Sequence, residues 1–80
     1  MTHYFLHLRD GTDEVLDPEG STFPTFAKLV EAVRAAAREL IAHGALCGEI
    51  DFGYRIDAES EGGVVVHTLS FRDAVRMANL

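Results

Sequence analysis

Four histidines, one cysteine and a scatter of acids are the side chains of this 80-residue sequence best suited to chemistry. Their spacing decides what chemistry is open to them. His3 and His7 fall on one face of a strand pattern, but four strand residues separate them by about 13 Å, too far to share a metal ion within one chain. His43 ends a helical pattern and His67 lies in another strand. No HxH, HExxH or CxxC spacing occurs, so the pattern implies no metal centre. Cys47 would act as a nucleophile only beside an activating imidazole. It stands in a glycine-rich stretch that reads as a loop. Asp10, Asp13, Asp17 and Glu19 lack the central glycine and terminal bidentate glutamate of a calcium loop and read as turn residues. The glycines form neither GxGxxG nor a Walker loop, so no cofactor is implied. One polar cluster remains. His7 and Arg9 beside Glu14 could receive an anion or a carboxylate, and the competing reading is a solvated cross-strand charge pair of little energetic weight.

The elements that must position these residues follow from periodicity. His3 to Arg9 alternates, with Tyr4, Leu6 and Leu8 on one face and His3, Phe5, His7 and Arg9 on the other, the signature of a half-buried strand. Asp10-Gly11 is a hairpin signal, and a short return strand runs through Glu14, Val15 and Leu16. A two-residue turn sets Leu6 opposite Val15 and His7 opposite Glu14. A four-residue loop sets Leu8 opposite Val15 and Arg9 opposite Glu14. Residues 17–24 form a polar connector ending in Pro24. Thr25 then caps a helix over residues 25–43, with Phe26, Leu29, Val30, Val33, Ala36, Ala37, Leu40 and Ile41 at spacings of three and four. Gly44 is the expected left-handed residue that ends it. Residues 44–53 read as a loop whose Leu46, Ile50 and Phe52 fold back over the core edge.

A third strand is expected over Tyr54 to Glu59 and a fourth over Val64 to Ser70. A Glu61-Gly62 turn would set Ala58 opposite Val65, Ile56 opposite His67 and Tyr54 opposite Leu69. Ser70 with Asp73 resembles a capping box for a short terminal helix carrying Phe71, Ala74, Val75 and Ala78 on one face. The predicted fold is a single α+β domain over residues 1–80, ββαββ. A mostly antiparallel four-stranded sheet packs on one long helix, followed by a short C-terminal helix.

Composition sets the outer bounds. Hydrophobic residues at 48% and charged residues at 25% are those of a globular chain. A domain this short buries roughly 60% of the surface its unfolded chain exposes, which leaves little room for a deep pocket. The net charge of -6 argues against nucleic acid as a partner. No stretch approaches a membrane span, and no basic-then-apolar leader opens the chain. A lone cysteine points to no oxidising compartment, and a cytoplasmic protein is expected. The sheet face turned away from the helix carries Phe5, Leu16, Val64 and Val66, apolar residues that suggest a partner or a second copy.

YFLHLRDG at 4–11, DPEG at 17–20, the FPTF-led alanine-rich helix and TLSFRDAV at 68–75 resemble a family of short bacterial proteins known as a domain of unknown function. That resemblance supplies no catalytic residues. Thr25 stands where such proteins often carry Asp. A weaker, fold-level likeness is to HicB-type antitoxin domains, without their DNA-binding segment. The expected function is a non-enzymatic interaction or self-associating module. The alternatives are an antitoxin-like or regulatory partner of another protein, and a small ligand binder or enzyme using His7, Arg9 and Glu14.

Overall fold

The computed structural model describes residues 1–76. Its elements are β1 (Thr2–Arg9), β2 (Glu14–Val15), β3 (Ser21–Phe23), α1 (Phe26–Leu46), β4 (Arg55–Ser60), β5 (Val65–Ser70) and α2 (Phe71–Ala74). The domain is α+β. Its antiparallel sheet runs β2-β1-β4-β5, and β3 joins the β2 side of β1 at the other end of that strand. The strand at Ser21–Phe23 lies inside the stretch read above as a polar connector. Pairing with Thr2–Tyr4 outweighs its polar composition.

Helix α1 starts as its sequence dictates. The Thr25 hydroxyl accepts the Lys28 backbone N–H at 3.1 Å, satisfying one donor of the first turn. Leu29, Val33, Ala37 and Ile41 form its buried stripe against Ile56, Ala58, Phe71 and Ala74. Burying an aliphatic side chain of this size contributes about 1.5–3 kcal/mol. Tyr4, Leu6 and Leu8 close the same layer from β1. Phe26 and Leu40 lie off the stripe and stay exposed, which narrows the helix's packing face.

The helix does not stop at Gly44. It continues to Leu46 with Cys47 as its C-cap, and the left-handed residue is Gly48 at φ 86°. Gly44 is needed for a different reason. The chain folds back so that the Glu49 N–H donates to the Gly44 carbonyl at 2.8 Å, and a Cβ at Gly44 would collide with the Glu49 carbonyl. Leu46 does not return to the core and is 88% exposed. Phe52 and Tyr54 pack there instead.

Both hairpins depart from the simplest turn. The first uses the four-residue alternative, with Leu8 opposite Val15 and Arg9 opposite Glu14. Asp10 builds the loop: its carboxylate accepts the Thr12 and Asp13 N–H groups at 2.7 and 2.6 Å, an aspartate turn that makes a left-handed Gly11 unnecessary. In the second hairpin the Ser60 N–H donates to the Val64 carbonyl at 2.9 Å, leaving Glu61, Gly62 and a left-handed Gly63 as the loop. An odd loop would invert one strand's faces. A register shift between Ala58 and Glu59 restores them, so Ala58 faces His67 and Ile56 faces Leu69, two residues from the expected register. Val65 is thereby moved opposite Glu59, away from the helix layer, and Val64 closes the loop against Ser60 just before the strand.

The terminal helix is a single turn. The Ser70 hydroxyl accepts the Arg72 N–H at 3.3 Å, and Phe71 and Ala74 are buried. Val75 is an extended C-cap rather than a helical residue, although it packs on the core. Ala78 lies outside the described residues.

Candidate functional site

The sheet face turned away from α1 is not an open apolar surface at its centre. It carries a network of charges. Register places Asp57 opposite His7, Glu59 opposite Phe5 and Arg55 opposite Arg9, so alternation brings β1 and β4 polar side chains into adjoining rows. Arg9 Nη1 donates to Asp57 at 3.1 Å and to Glu59 at 2.5 Å, and Arg9 Nε donates to Glu14 at 2.9 Å. Arg55 Nε donates to both Asp57 oxygens at 3.2 Å, and the Thr68 hydroxyl donates to Asp57 at 2.8 Å. Asp57 is only 4% exposed, so these donors are what make a buried carboxylate tolerable.

The electrostatics follow from those partners. Burial alone would raise the Asp57 pKa. The Thr68 hydroxyl and the Arg9 and Arg55 guanidinium groups outweigh it and hold the carboxylate below its usual range. Glu14, then Glu59 and Asp57, hold the Arg9 guanidinium above its ordinary value. At Asp17, burial opposes ionisation but the Gly20 and Leu6 N–H groups prevail, and its pKa is also lowered.

Of the cluster singled out in the sequence, Arg9 and Glu14 are in direct contact. His7 stands apart from Glu14. Its Nδ1 accepts the Asp17 backbone N–H at 3.0 Å, and its Nε2 lies 3.8 Å from Glu59. The ring stacks on Phe5, with centroids 6.1 Å apart. Phe5, His7, Leu16, Pro18 and Glu59 line a shallow depression of about 450 Å³. Arg9 is engaged by three carboxylates through Nε and Nη1, so these donors are used within the fold.

Asp57, Glu59 and Thr68 were not singled out from the sequence. Alternation alone gives them the look of a solvated strand face. Only the adjacency of β1 and β4, which crosses the whole helix in sequence, brings them to Arg9.

Other chemistry-bearing groups are separate from this network. Cys47 Sγ lies 3.8 Å from His43 Nε2, both exposed on the last turn of α1. The free carbonyls of a helix C-terminus are the wrong sign for an anionic sulfur. Among the described residues no group of three His, Cys, Asp or Glu side chains is placed to hold a metal ion. Among them, too, no helix is long and apolar enough to cross a membrane.

A family model described as a domain of unknown function, DUF6894, matches residues 3–72, nearly the whole described chain. The chain belongs to that family. No curated protein and no solved structure matches it. The DUF6894 span takes in the sheet from His3 onward, and with it a feature at the sheet's far edge.

In this DUF6894 domain the two edges differ in kind. The β1 edge is covered in pieces by β2 and β3, two very short strands set among Asp13, Glu14, Asp17 and Glu19. Such an edge is protected by brevity and charge. The β5 edge is one continuous strand, Val65-Val66-His67-Thr68-Leu69-Ser70, and among the described residues no strand pairs with its outer side. It carries no Asp, Glu, Lys or Arg. Val65 is 46% and Val66 38% exposed. At the start of α1, Phe26, 52% exposed, meets the His67 ring edge-on with centroids 6.0 Å apart. Exposed apolar surface therefore wraps from the edge strand onto the helix layer.

Proposed function

We propose that this protein is a small interaction module that works by strand addition at the outer edge of β5. A partner segment would lie beside β5 and extend the sheet, with main-chain hydrogen bonds supplying affinity and alternating side chains supplying selectivity. The observation that carries this reading is the uncharged β5 edge, bordered by Val65, Val66 and Phe26, in a chain whose opposite edge is short and acidic. Uncharged edges are ordinarily blunted, because free N–H and C=O groups recruit any available strand, and here the one irregularity lies at the Val65 end and leaves the rest of β5 regular. The Arg9–Asp57–Glu59 network stiffens the sheet on which that edge is displayed.

The reading is tested by Val66→Glu, which puts a charge on the edge, against Val15→Glu, which puts one on the other edge. The tagged chains are sized in cell extract. Loss of association with Val66→Glu but not Val15→Glu supports the β5 edge. Equal association of both variants with their partner removes it.

A further inference from the structure

We infer that the depression over the middle of β1 binds a small uncharged phenol, its hydroxyl seated between His7 Nε2 and Glu59 Oε1. The site lies on the sheet face turned away from α1 and stands apart from the outer edge of β5. The observation behind it is a donor left over inside the fold. His7 is only 8% exposed. Its Nδ1 accepts the Asp17 N–H, so the neutral ring carries its proton on Nε2. Glu59 Oε1, which that proton faces, is 3.8 Å from Nε2, beyond hydrogen-bond range. The other Glu59 oxygen, Oε2, is taken by Arg9. Nε2 is not sealed in, because among the described residues no fully enclosed side-chain nitrogen or oxygen lacks a partner. His7 and Glu59 both line the depression of about 450 Å³. A donor and an acceptor therefore stand side by side in one concavity without satisfying each other.

The charge pattern selects what fits between them. An anion could accept from Nε2 but would meet Glu59 at once, with Asp17 and Glu61 also lining the site. An ammonium would suit those carboxylates but cannot accept from Nε2–H. One hydroxyl oxygen, about 2.8 Å from each atom, accepts from His7 and donates to Glu59. The rest of the ligand is set by the walls. Phe5, Leu16 and Pro18 are apolar, and the Asp17 carboxylate is already committed to the Leu6 and Gly20 N–H groups. A site with apolar walls and one convergent polar pair takes an apolar body with one polar tip. A flat ring suits a shallow site and gains aromatic contact with Phe5. A phenol hydroxyl ionises only near about pH 10, so it enters neutral while donating more strongly than an aliphatic alcohol.

Titration of the full chain, followed by its backbone amide resonances, tests the site with four probes. They are p-cresol, its isomer anisole, whose oxygen accepts but cannot donate, cyclohexanol, which lacks the aromatic ring, and the cation benzylamine. Saturable shifts at Phe5, His7 and Glu59 are expected with p-cresol. Anisole is expected to bind about tenfold more weakly, the loss of one hydrogen bond to a charged group. Cyclohexanol and benzylamine are also expected to be weaker. His7→Asn keeps an acceptor for the Asp17 N–H but has no donor where Nε2 stood, and it is expected to lose p-cresol binding about tenfold. Leu16→Ser alters a wall residue that is 53% exposed, so the fold does not depend on it, and several-fold weaker binding is expected. The absence of saturable shifts with p-cresol overturns the site. Anisole or cyclohexanol binding as tightly as p-cresol, or benzylamine binding more tightly, overturns the phenol. Undiminished p-cresol binding in a folded His7→Asn, or in Leu16→Ser, overturns the seat between His7 and Glu59.

Discussion

The backbone N–H of Asp17 donates to Nδ1 of His7 across 3.0 Å, tying the segment after β2 to the middle of β1. Because Nδ1 accepts, the ring proton of the neutral imidazole sits on Nε2, the atom facing Glu59. His7 therefore serves as an acceptor built into the sheet. The same segment is fastened a second time, since the Asp17 carboxylate accepts the Leu6 and Gly20 N–H groups at 3.2 and 3.0 Å.

Removing that acceptor is expected to be costly in a way that chemistry can rescue. His7→Ala leaves a part-buried N–H unpaired, a loss of about 1–3 kcal/mol. In His7→Asn the amide oxygen stands as many bonds from Cα as Nδ1 does, so part of the loss returns. Urea unfolding of the three proteins measures it. Equal stability for Ala and Asn variants would show that the bond contributes nothing.

Arg9 has three carboxylate partners, and they are predicted to differ in weight. Asp57→Ala removes the buried acceptor that Arg9, Arg55 and Thr68 share, leaves Arg9 its Glu59 and Glu14 contacts, and is expected to cost about 1.5–3 kcal/mol. Thr68→Val removes one hydrogen bond to the same carboxylate and is expected to cost about 1 kcal/mol. Glu14 is half exposed, and Glu14→Ala should fall within about 1 kcal/mol. A Glu14→Ala loss as large as that of Asp57→Ala would contradict this ordering.

The residues involved show how far a single sequence carries. Both possible loops of the first hairpin kept Leu6, Leu8 and Val15 on one face, so the side of β1 that meets α1 was legible without the loop. Choosing the loop required knowing that Asp10 would accept two N–H groups, a local competition that Asp-Gly obscures. The second hairpin's faces were legible for a less direct reason: a three-residue loop and a bulge each displace the register by one, and together they move it by two and keep the faces. Asp57 was invisible because an acid alternating with Arg55 and Glu59 looks solvated until β1 is placed beside β4. The apolar residues assigned to one sheet face divide in space. Phe5 and Leu16 line the depression beside His7, Val66 belongs to the β5 edge, and Val64 precedes that strand.

Acid is expected to destabilise the fold through Asp57 and Asp17. Both have folded-state pKa values below the usual carboxylate value, so each favours the folded state wherever it is ionised in both states. That contribution is fully present above the unfolded pKa of about 3.9. It is lost as pH falls from that value through the lowered folded-state values. Thermal midpoints should therefore hold steady from neutrality to about pH 5 and decline below it. Replacing Asp57 with Asn should flatten the acid limb. An unchanged limb in that variant would place the acid sensitivity elsewhere.

Two glycines with positive φ separate backbone strain from crowding. Gly20 at φ 67° and Gly48 at φ 86° both occupy the left-handed region, where an L side chain costs about 1–2 kcal/mol. Around Gly48 a new Cβ meets nothing within 4 Å. At Gly20 it would come within 2.6 Å of both His3 Nε2 and the Tyr4 carbonyl. The His3 ring already donates to the Glu19 carbonyl at 2.7 Å, and Tyr4 pairs with Ser21, so neither group moves without loosening β3 from β1. Gly48→Ala is therefore expected to lose only the backbone increment. Gly20→Ala should lose about 1–3 kcal/mol more, the usual cost of overpacking. It should also raise amide exchange in Ser21–Phe23 while leaving β4 protected. Comparable losses in the two variants would mean that β3 yields freely, and that the Asp17–Gly20 segment is held by His7 and the Asp17 carboxylate alone.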